Sequence, residues 1–205
     1  MATSTVDARA AGRSPWETIV AVAALVSLAL WPIEINRAFG LPAHPLIIHV
    51  PVVFIPILGL VVLAAMFKFG WFERYGVLIT AFSVVCLAAT LLAVGAGEAF
   101  KEDLEPRLPM NDPTLHDHED AGITVRLTML LLTAVLVGLL WARRLPNAAT
   151  IVLRVLAVLL ALTAIVMVIR TGHLGAKMAW GEREGGPPPG FQGGPPAQGQ
   201  LPDGG

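Results

Sequence analysis

Five histidines carry most of the chemical potential of this 205-residue chain: His44, His49, His116, His118 and His173. An imidazole ligates haem iron, copper or zinc through either ring nitrogen, and it titrates near neutrality. Acidic side chains could join a metal site: Glu119 and Asp120 directly follow His118, and Glu98 stands in a separate stretch, VGAGEAF. The single cysteine, Cys86, excludes an intramolecular disulfide and lies inside an apolar run, where it reads as a buried thiol. The motifs include no activated serine or cysteine nucleophile and no H-E-x-x-H helix, which argues against a hydrolase.

The elements that must position these residues are set by composition. Apolar side chains make up 55% of the chain and charged ones 14%, with a mean hydropathy of +0.70. A soluble domain carries about 25% charged residues, and one soluble core has nowhere to place so much apolar surface. The class is an integral membrane protein, with the lipid bilayer as its main partner. A net charge of −1 gives nucleic acid nothing to bind.

A membrane crossing takes about 20 mainly apolar residues. Five runs qualify or come close: 18–33, 38–67, 75–97, 122–142 (with Arg126 near one end) and 145–169 (with Arg154 near one end). Each must be helical, because an isolated strand leaves its backbone polar groups unpaired in lipid. Trp16, Trp31, Trp71, Trp141 and Trp180 all fall near run ends, where the membrane boundary favours tryptophan. The expected fold is therefore all-α, an integral membrane helical bundle of five spans. A four-helix antiparallel core is joined by one N-terminal helix. The expected organisation is a cytoplasmic N-terminus over 1–14, a first transmembrane helix over 15–37, the four-helix membrane domain over 41–184 and a tail over 185–205. Arg9 and Arg13 ahead of a short apolar run also fit a cleaved signal peptide. The tail holds eight glycines and six prolines in 21 residues and reads as disordered.

With the N-terminus inside, seven cations fall on each side. The inner ones lie in short connections, where the positive-inside rule acts most strongly, so the C-terminus is expected outside. The stretch 98–121 reads as an acidic outer loop. His44 and His49 then open the second helix, His116 and His118 lie just before the fourth, and His173 just after the fifth. Because neighbouring helices alternate in direction, all five histidines reach one membrane face. Plainer readings stand beside this: His44 caps the helix before Pro45, and His116 and His118 sit in a solvated loop. Ala89, Ala93 and Gly97 form a small-residue stripe that serves close helix packing or leaves room for a flat cofactor.

The strings LPAHPLIIHVPVVFIPILGLV, VGAGEAF, HDHEDAG and TGHLGAKMAWGEREG resemble the bacterial four-helix membrane family designated domain of unknown function 2231. The resemblance spans residues 41–184 and falls on His44, His49, His118, Glu119 and His173; His116 lies outside its motifs. Gly175-Ala176-Lys177 departs from the family pattern, in which a second glycine and an acid are common. The resemblance implies a bacterial inner-membrane location. Fusions of relatives to Rieske or c-type cytochrome modules imply membrane electron transfer with redox partner proteins.

Three functions compete at this level. The first is haem b binding by His44, His49, His118 and His173 near the outer face, since haem iron takes two imidazoles and a helical bundle cradles the ring. The second is a copper or zinc site built from His49, His118, His173 and Glu119. The third is a structural or accessory subunit in which the histidines only fix interfaces.

Overall fold

A computed structural model describes residues 14–68, 70–104, 113–142 and 147–180. Helix α1 (Pro15–Ser27) starts with a proline at its first position, where the missing N–H is harmless. It closes in a 3-10 turn over Leu28–Leu30, and Pro32 cannot continue it. Two short antiparallel strands follow, β1 (Arg37–Ala38) and β2 (Leu41–Pro42). Phe39 and Gly40 both take positive φ at the turn between them, as the tightest hairpins require. The short helix α2 (Ala43–Ile47) leads into α3 (His49–Phe67), and three long helices complete the chain: α4 (Trp71–Leu104), α5 (Pro113–Trp141) and α6 (Asn147–Trp180).

The four long helices close a ring in which α3 and α5 each pack against both α4 and α6. Its core is built from Ile55, Leu58 and Val62 of α3, Leu87 and Leu91 of α4, Met129, Leu132 and Leu136 of α5, and Ala157, Ala161 and Ala164 of α6. The alanines, at i, i+4 and i+7, let α6 approach closely. A methyl group on Gly59 would stand 2.6 Å from Ile165 Cγ1. Buried hydroxyls are satisfied within the bundle: Thr80 donates to the Gly76 carbonyl, Ser83 to Thr80 and Thr90 to Cys86. That pairing is what polar groups at membrane depth require. Cys86 is fully buried, as expected.

The all-α bundle, with a four-helix core and an added N-terminal helix, is as the sequence predicts. Four of its helices are long and apolar enough to cross a membrane: Ala43–Phe67 (α2 with α3), Trp71–Glu102, Pro113–Trp141 and Ala148–Ala179. The N-terminal helix, Pro15–Leu30, is shorter than the others and packs on α4 and α5.

Two boundaries differ from expectation. The acidic stretch is helical up to Leu104 and again from Pro113, so it forms the ends of α4 and α5 where a loop over 98–121 was expected. Contacts between the helices hold these turns: Lys101 pairs with Glu119 at 2.5 Å, and Phe100 stacks on His44. His173, expected beyond the last span, lies inside α6, whose final turns pack on α5 through Gly175. The expected N-terminal segment, apart from Ser14, and the expected tail over 185–205 lie outside the described residues.

Candidate functional site

The site is assembled from two histidines, each seated on a neighbouring helix. Ala43 is fully buried, and its N–H donates to the Asn36 carbonyl at 2.9 Å, which pins the start of α2 beneath the hairpin. His44 is thereby held against α4. Its Nδ1 lies 2.9 Å from the Ala93 carbonyl. One turn along α4, Gly97 presents a bare Cα; a methyl group there would stand 3.1 Å from both Cε1 and Nδ1 of His44. Phe100 stacks on the ring, with centroids 6.2 Å apart and planes 14° apart.

His118, in the first turns of α5, repeats the arrangement on α6. Its Nδ1 lies 3.0 Å from the Thr171 carbonyl, and a methyl group on Gly175 would stand 3.1 Å from its Cε1. In both seats the carbonyl belongs to residue i and the glycine to residue i+4 of the facing helix. A glycine inside a helix costs about 1 kcal/mol relative to alanine, and here it makes room for a ring.

The seats determine the tautomer. A carbonyl only accepts, so Nδ1 of both histidines carries the proton and donates it. In the neutral ring Nε2 then holds a free lone pair, the arrangement by which an outer carbonyl orients a ligating imidazole. The two rings come together, with centroids 6.2 Å apart and planes at 87°.

The other expected residues are placed elsewhere. His49 is exposed on α3 and His173 is exposed on α6. Glu119 is engaged by Lys101, with His116 Nδ1 3.8 Å from its second oxygen, and His116 is largely exposed. Among the described residues no three His, Cys, Asp or Glu side chains converge where an ion could be held. The small-residue stripe on α4 is occupied from within: Gly97 lies under the His44 ring, and the Ala93 carbonyl accepts from it.

Sequence reasoning did not find the seating role of Gly97 and Gly175. The signal was present, since each is a helix glycine inside one of the motif strings. His44 was placed at a helix start, but its partner on α4 lies 49 residues away along the chain.

A family model described as "Predicted membrane protein (DUF2231)" matches residues 40–185, which takes in every helix from α2 to α6. No curated protein matches the chain, and no solved structure matches it.

Proposed function

Since the chain belongs to the DUF2231 family of predicted membrane proteins, a description that assigns no reaction, we propose its function from the paired histidines: it binds haem b between His44 and His118 and passes electrons within the membrane. The observation that carries this reading is that two imidazoles meet with both Nδ1 protons committed to carbonyls, leaving both Nε2 atoms as ligands.

The number of donors favours haem over a bare ion. Zinc in a protein site takes three or four protein ligands, whereas haem brings four nitrogens of its own and asks the protein for one or two. Two imidazoles on opposite sides of one metal, with bonds of about 2.0 Å and a ring radius of roughly 1.1 Å, place their centroids about 6 Å apart. The two ring centroids are 6.2 Å apart, a length of the same order. When bound, the haem iron would supply a reversible one-electron couple. The chain's own residues hold the two imidazoles in register: Ala93 and Thr171 fix the tautomer, and Gly97 and Gly175 admit the rings.

In the same reading the protein is a multi-pass protein of the bacterial inner membrane with its C-terminus outside. The haem lies near the outer face and exchanges electrons with redox partner proteins there. The test is an absorption spectrum of protein purified from haem-replete membranes, oxidised and then reduced with dithionite. Bis-imidazole ligation gives low-spin iron and sharp visible bands on reduction. Stoichiometric copper or zinc without haem bands supports the metal reading instead. Protein containing neither leaves the role of an accessory subunit.

A further inference from the structure

Among the described residues Arg126 has no counter-charge, and it lies in a segment long and apolar enough to cross a membrane. It lies four residues, about 6 Å of helix rise, inside the apolar run 122–142 of α5. Its guanidinium carbon stands 4.2 Å from the centroid of the Trp31 ring. Its Nε is buried and has no hydrogen-bond acceptor, and no carboxylate pairs with it among the described residues. Arg154, near the start of α6, is by contrast paired with Glu73 at 2.5 Å. A guanidinium at this depth is costly unless an anion meets it.

Trp31 is held firmly over this cation. The chain that follows it runs across α4 at Gly95, where a methyl group would collide with the Ile33 carbonyl oxygen. That contact is on the far side of α4 from the histidine pair: Gly95 is two residues, about 200° of helix turn, from both Ala93 and Gly97, which seat His44. Trp31 has 39% of its surface exposed, and tryptophan is a residue favoured at membrane boundaries. At such a boundary the abundant anion is the lipid phosphate.

We infer that Arg126, clamped under Trp31, is a binding site for the phosphate group of an anionic phospholipid. Guanidinium suits the task because its planar fork donates two parallel hydrogen bonds to phosphate oxygens. The Trp31 ring covers one face of the cation and leaves the edge for the lipid.

The experiment uses the full chain, delipidated in a neutral detergent and titrated with phosphatidylglycerol, phosphatidylcholine or inorganic phosphate. Thermal unfolding and native mass spectrometry report binding. Phosphatidylglycerol is expected to raise the unfolding temperature by a few degrees and to give a one-lipid adduct. R126Q should lose both effects, R126K should keep part of them, and W31L should weaken them. R170Q, an exposed cation near the same boundary, should behave as the wild type. An undiminished shift in R126Q overturns the site. An equal shift with inorganic phosphate, or with phosphatidylcholine, overturns the assignment to an anionic lipid. If R126Q does not fold, the comparison of R126K and W31L with the wild type decides the matter: unchanged lipid adducts in both overturn it.

Discussion

The rings of His44 and His118 stand 6.2 Å apart and nearly perpendicular, and each donates its Nδ1 proton to a carbonyl of a helix other than its own. His44 ties α2 to α4, and His118 ties α5 to α6. All three contacts in this chain lie at one end of the bundle, so anything held by the two Nε2 atoms bridges helices that are distant in sequence.

The first prediction concerns ligation. H44A and H118A should each remove one axial ligand, converting the iron to high spin or losing the haem. H49A and H173A, at exposed positions, should retain the reduced bands, and H116A should do the same. Absorption spectra of the purified variants check this. Full low-spin spectra in H44A and H118A would exclude the pair as ligands.

The second prediction separates the seats from the ligands. G97A and G175A leave both histidines in place but put a methyl group 3.1 Å from a ring atom. The ring must shift by a few tenths of an ångström and its hydrogen bond to Ala93 or Thr171 must lengthen. Disturbing an outer partner of a metal ligand typically lowers affinity about 10- to 100-fold, so haem affinity should fall by roughly that range while folding persists. Titration of apoprotein with haem measures it. Unchanged affinity in both variants would show that the seats do not control the site.

The bundle was legible in the sequence because it rests on composition. Long uncharged runs bounded by Trp31, Trp71 and Trp141 leave helix as the one solution in lipid. The pairing of the histidines was not legible. Helices α3 and α6 are apolar around their whole circumference, so no stripe tells which face turns inward. His49 and His173 are exposed and His44 is not, a difference of rotation about a helix axis. The helical ends of the acidic stretch were also hidden: Glu98 to Leu104 looks like loop until Phe100 is seen stacked on His44 and Lys101 paired with Glu119.

The third prediction tests the packing that holds α3 to α6. In G59A the new methyl group meets Ile165 Cγ1 at 2.6 Å, Cδ1 at 2.7 Å and the Ala161 carbonyl at 3.3 Å. Overpacking of this kind costs about 1–3 kcal/mol. Chemical unfolding in micelles should show that loss. Removing the obstructing atoms with I165A should make the double variant more stable than the sum of the single effects, since the sites are in contact. Strict additivity would mean that α3 and α6 do not approach as described.

The last prediction concerns orientation. Four helices long enough to cross lie between Ala43 and Ala179, and an even number of crossings returns the chain to the face from which it started. The contacts agree, since His44 meets the late turns of α4, and His118 at the start of α5 meets Thr171 near the end of α6. The opposite face carries Lys68 and Arg74 around the α3–α4 connection, Arg143 and Arg144 between α5 and α6, and Arg154 shortly after. Cations in connections this short are the ones that hold a loop in the cytoplasm. An export-dependent reporter fused after Gly205 should therefore be active, and the same reporter inserted between Arg144 and Asn147 should be silent. Replacing Lys68, Arg143 and Arg144 together by glutamine should yield a mixed population. A silent C-terminal fusion with an active inner one would invert the protein and place the histidine pair at the cytoplasmic face.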